Sequence, residues 1–103
     1  MPILTELQYR KATEGPWRIY VFDRSGFHRG GKYFRKGSPP TDHPEENHLW
    51  VTAEFAKDDA IRAIRQGLEV RITDGGDMLV FHAVKGRYVF PLDPQDFWDL
   101  AGV

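Results

Sequence analysis

Apolar residues recur along this chain with two different periods, and the switches between them mark its elements. Trp17 to Asp23 (WRIYVFD) is rich in aromatic and β-branched residues, which predicts a strand. Alternation places Trp17, Ile19 and Val21 on one face and Arg18, Tyr20, Phe22 and Arg24 on the other. After Ser25-Gly26 and Gly30-Gly31, residues 32–36 (KYFRK) read as the return strand of a hairpin with a long basic tip. Residues 37–48 (GSPPTDHPEENH) hold no apolar side chain and three prolines, a surface loop. Leu49-Trp50-Val51 can add a short strand. Thr52 is then a helix N-cap, and Ala53, Ala56, Ala60, Ile61 and Ile64 follow at helical spacing up to Gly67, predicting a helix over 53–66.

From Leu68 the period is two. Strands over 68–74, 78–84 and 87–90, separated by Gly75-Gly76 and Lys85-Gly86, spell a three-stranded antiparallel meander. Asp93-Pro94 opens a short helix over 94–101. Ile19, Ile61, Ile64, Val70, Ile72, Phe81 and Phe97 are the expected core. The expected fold is α+β: an N-terminal hairpin plus the meander in one antiparallel sheet, a main helix after the hairpin and a short C-terminal helix. Residues 1–16 admit either a short helix or an edge strand.

A chain of 103 residues with 41% hydrophobic and 14% aromatic content is expected to form a single domain, residues 1–103, with its own core. The absence of cysteine removes disulfides, thiolate nucleophiles and zinc–thiolate sites. No apolar run approaches membrane-spanning length, and the start of the chain lacks a signal-peptide pattern. The expectation is a cytoplasmic protein without a membrane partner or a cofactor.

The net charge of −1 conceals a division. Residues 1–36 carry eight basic and three acidic side chains, whereas residues 37–103 carry six and twelve. This asymmetry fits a basic patch for an acidic partner, or two faces that attract each other in a homodimer. Within the basic part, cations interleave with aromatics. Arg18, Tyr20, Phe22, Arg24, Phe27, His28, Arg29, Lys32, Arg35 and Lys36 are therefore the candidate nucleic-acid contacts, because cations draw phosphates and ring faces stack unpaired bases.

Other constellations weigh less. Gly26 to Lys32 (GFHRGGK) satisfies seven positions of a phosphate-binding loop, but Tyr33 stands where a Mg²⁺-binding hydroxyl belongs and no helix follows. His43 and His48 share a loop with Asp42, Glu45 and Glu46, without a recognised metal-ligand spacing; no metal site is expected. His82 sits mid-strand, on the face of Val80 and Val84, and reads as a half-buried histidine satisfied by hydrogen bonds. His28, at the basic tip, is the residue suited to acid–base work on a phosphodiester.

The order helix, three strands, helix from Ala53 to Ala101 is that of double-stranded-RNA-binding domains. The last helix starts LDPQD, however, placing Asp93 and Asp96 where those domains use lysines, so the chain is not assigned to them. Small ribonuclease toxins share its size and class but no motif that transfers. The leading expectation is a non-enzymatic binding module that contacts nucleic acid, single strands preferred, through residues 17–36. The alternative is a protein-interaction domain, an inhibitor or adaptor, using its acidic surface or Trp50 and Trp98. A small metal-independent nuclease centred on His28 ranks third.

Overall fold

A computed structural model describes residues 15–36 and 49–103. The loop expected around His43 and His48, and the ambiguous residues 1–14, lie outside the described residues. The elements are β1 (Trp17–Phe22), β2 (Lys32–Phe34), α1 (Ala53–Arg65), β3 (Glu69–Thr73), β4 (Leu79–Val84), β5 (Arg87–Phe90) and α2 (Pro94–Leu100). The strands form one antiparallel sheet in the order β2-β1-β3-β4-β5. This is the α+β architecture of hairpin, main helix, meander and short helix that the pattern predicts.

Local chemistry sets the boundaries. The two hairpin turns at one aspartate each, Asp23 and Asp74, are built alike. Asp23 Oδ1 accepts from the N–H of Ser25 and Phe27, and Asp74 Oδ1 accepts from those of Gly76 and Met78. In each, the aspartate N–H donates to the carbonyl four residues on, closing the loop. At the third turn Lys85 and Gly86 both have positive φ, the backbone a two-residue hairpin requires. Thr52 Oγ1 caps α1 by accepting from Phe55 N at 3.1 Å, and Asp93 Oδ1 caps α2 through Gln95 N at 3.0 Å. Both helices end alike: Leu68 N–H reaches back to Ala63 O and Val103 N–H to Trp98 O, wrapping over Gly67 and Gly102.

α1 packs against β1, β2 and β3, and α2 against β4. The two helices share one core with the inward residues of the sheet, so both cover the same face. Trp17, Phe34, Phe81 and Phe97 are fully enclosed there, with Ile19, Val21, Val70 and Ile72. Four differences from the sequence pattern matter. Ile61 is only half-buried, and Ala63 takes its place in the stripe, because the contact face of α1 against the sheet is narrow and lined by alanines. Trp50 makes an isolated bridge to Tyr33 and no strand. β2 is three residues long. Arg24 is not on the strand face, since the Asp23 turn ends β1 at Phe22.

Candidate nucleic-acid interface

Alternation along β1 puts Arg18, Tyr20 and Phe22 on the face opposite the helices, where they are half-buried. Register then decides their neighbours. Arg18 lies between Tyr33 of β2 and Thr73 of β3, Tyr20 is opposite Arg71, Phe22 is opposite Glu69, and Arg71 is in turn opposite His82. Among the described residues no helix lies over this face.

The side chains there form a ladder of rings and guanidinium groups. The Trp50 ring lies 5.4 Å from that of Tyr33. Arg18 stands 4.9 Å from the Tyr33 centroid and 5.0 Å from that of Tyr20. Tyr20 stacks with Phe22 at 6.4 Å, and Arg71 covers Phe22 at 4.8 Å. Arg35 adds a cation over Trp50 at 5.7 Å. Such cation–π contacts contribute about 0.5–1 kcal/mol each when exposed and hold the charges in place. Gly31 makes the arrangement fit: a Cβ there would overlap the Arg18 guanidinium, beginning at Nε. Arg18 Nε and Thr73 Oγ1, on directly opposed residues, are buried without a hydrogen-bond partner. Unmade polar groups of this kind cost stability and are uncommon in folded proteins.

At the far side of the ladder, Glu69 Oε2 lies 2.6 Å from His82 Nε2 and accepts from Arg71 Nε at 3.1 Å. His82 is 8% exposed, hydrogen-bonded as expected but more deeply buried than the half-buried position its strand pattern suggests. Burial raises the Glu69 carboxyl, but the hydrogen bonds from His82 and Arg71, with their charges, outweigh it and hold the group below its ordinary value of 4.5. A carboxyl lowered in the folded state stabilises the fold above its ordinary value, and that contribution is lost as pH falls from 4.5 through the lowered value. Glu69→Gln is therefore expected to lower the denaturation midpoint at neutral pH, with the gap to wild type closing on acidification. A gap independent of pH would contradict this role.

The remaining candidates are distributed over four places. His28 stays with the ladder, its ring edge-on to Tyr20 and Phe22 at 5.7 and 6.0 Å. Its Nδ1 accepts from Gly30 N, and among the described residues it holds no acid–base partner. Arg24 and Phe27 occupy the hairpin tip, Phe27 being 75% exposed. Arg29 and Lys32 lie on the helix side of β2, lining a cleft of about 200 Å³ with Ile19 and Phe55, and Arg29 pairs with Asp59 at 3.8 Å. Lys36 is exposed and lines another cleft beside the start of α1 and Gly102. The GFHRGGK segment runs into β2 rather than a helix, so it lacks the helix N-terminus a phosphate loop uses. Trp98 corrects an expectation: it is 2% exposed, packed on Phe34, Phe81 and Phe97, and presents nothing to a partner. Trp50 is half-buried, on the ladder.

Sequence reasoning missed Arg71, Thr73 and Glu69 as neighbours of the β1 residues. Their signal was the alternation of EVRIT, which becomes informative only once the pairing of β3 with β1 is known. Among the described residues no cluster of three or more His, Asp or Glu is arranged to hold a metal, and no helix is long and apolar enough to cross a membrane. Comparison with known proteins finds no matching family model, no matching curated protein and no matching solved structure.

Proposed function

We propose that the face of the sheet opposite the helices binds single-stranded nucleic acid, without catalysing a reaction on it. The observation that carries this reading is the continuous run Trp50–Tyr33–Arg18–Tyr20–Phe22–Arg71 on one face of the sheet, opposite the helices. Rings on a flat sheet suit splayed, unpaired bases, whereas a duplex keeps its base faces stacked inside. The guanidinium groups of Arg18, Arg35 and Arg71 lie among those rings, where a backbone carrying the stacked bases would pass. The buried, unpartnered Arg18 Nε and Thr73 Oγ1 lie on this same face. A cytoplasmic location, with access to such strands, accords with the cysteine-free sequence.

Oligothymidylate, oligouridylate and a duplex of equal length, titrated at about 50 and 200 mM salt, test the reading. Single strands are expected to bind better than duplex, with a salt slope of about −2, as about three neutralised phosphates give. Arg18→Gln with Arg35→Gln should remove most of the affinity. Arg29→Ala with Lys32→Ala, on the helix side, should leave it within about twofold, since neither cation faces the ladder. Loss of affinity only in the second pair would move the site to the other face. No binding by either oligonucleotide at the lower salt would overturn the proposal, leaving a surface rich in Tyr, Trp and Arg to protein contact.

A further inference from the structure

Resting on that reading, we infer that the strand runs along β1 and places a terminal nucleotide in a cleft at the end of the sheet, gripped there by Arg24 and Lys85. The cleft, about 320 Å³, lies between the β1–β2 turn, the α1–β3 junction and the β4–β5 turn. It is continuous with the ladder, because Phe22 and Glu69 belong to both. Phe22, Leu68 and Val84 give it an apolar lining on which a base can rest. Arg24 and Lys85 stand at its rim, both exposed.

Neither Arg24 nor Lys85 has an ion pair among the described residues, so both are placed to meet a phosphate. Two carboxylates, Asp23 and Glu69, also line the cleft, and each is held to the protein through one of its oxygens. Asp23 Oδ1 accepts from the Ser25 hydroxyl and from the N–H of Ser25 and Phe27. Glu69 Oε2 is shared by His82 and Arg71. The two rim cations come from turns whose backbones are fixed by the Asp23 cage and by positive φ at Lys85 and Gly86. A base on the apolar lining, with its phosphate between Arg24 and Lys85, continues the stacking of Tyr20 and Phe22 by one step. The tyrosine, phenylalanine and cleft then follow one another along β1, whose rise of about 3.3 Å per residue spans roughly 20 Å.

The test uses oligothymidylates from about 3 to about 16 nucleotides, bracketing the range of sheet-based single-strand sites. The variant is Arg24→Gln with Lys85→Asn; asparagine tolerates the positive φ at position 85, so the turn is kept. Oligomers long enough to reach the cleft should lose about tenfold in affinity, and their salt slope should flatten by about 0.7, the share of one phosphate. The shortest oligomers that bind the ladder should be unaffected. An equal loss at every length would overturn the terminal placement, and so would no loss at any length while Tyr20→Ala with Phe22→Ala abolishes binding. Wild type that binds no oligomer would overturn the ladder reading and this one together. Unchanged circular dichroism and melting confirm that the variant is folded.

Discussion

Replacing Tyr20 and Phe22 together with alanine is expected to weaken single-strand binding at least about a hundredfold. Each base–ring contact contributes about 1–3 kcal/mol in sites of this kind, and these two rings form the centre of the ladder. Arg18 rests on Tyr20 and Arg71 on Phe22, so both cations also lose the surfaces that hold them. The fold should survive, because neither ring belongs to the core. Cross-strand pairs on such a face contribute about 0.2–1 kcal/mol each. Fluorescence anisotropy with a labelled oligonucleotide reads the affinity, and thermal melting reads the fold. Tyr20→Phe should retain most binding, since it keeps the ring and removes only the hydroxyl. Affinity within a few-fold of wild type in the double alanine variant would contradict stacking on these residues.

The largest effect on stability is expected at Phe97. Its ring contacts Trp17, Phe34, Phe81 and Trp98, at centroid distances from 5.0 to 6.4 Å, and it is 1% exposed. It thus ties α2 to β1, β2 and β4 in one aromatic cluster. Phe97→Ala removes the ring and leaves a cavity among large side chains that cannot collapse to fill it. Such truncations cost about 3–5 kcal/mol, against a typical total of about 5–15 kcal/mol for a domain. Urea denaturation followed by tryptophan fluorescence measures the loss directly, since Trp17 and Trp98 line the cavity. A cost below about 1 kcal/mol would mean that α2 contributes little to holding the sheet.

Much of this architecture was legible because local signals agreed with one another. Thr52, Gly67 and the alanine stripe all specify α1, and the tertiary contacts use the same stripe. The two aspartates opening the Asp23 and Asp74 turns, and Lys85-Gly86, specify three reversals through hydrogen bonds a few residues long. The candidate site was legible in half. β1 announces its two faces through alternation, so Arg18, Tyr20 and Phe22 were placed together from sequence. Their partners were not, because Arg71 and Thr73 are about fifty residues away and only the register of β3 brings them beside β1. The same limit explains the cations of the hairpin. Arg29 and Lys32 follow His28 closely in sequence, yet the path of the chain into β2 turns them to the helix side, where Arg29 meets Asp59. Trp98 shows the converse: an aromatic in a short polar helix reads as exposed until the depth of the aromatic cluster is known.

Backbone amide resonances followed during titration with oligothymidylate test the central claim most directly, because they report which face of the sheet the ligand meets. The account predicts shifts concentrated at Arg18, Tyr20, Phe22, Tyr33, Trp50 and Arg71, with the amides of the outer side of α1, such as Asp58 and Arg62, unmoved. Shifts centred on α1 and on Arg29 and Lys32, or no shifts at saturating oligonucleotide, would contradict it.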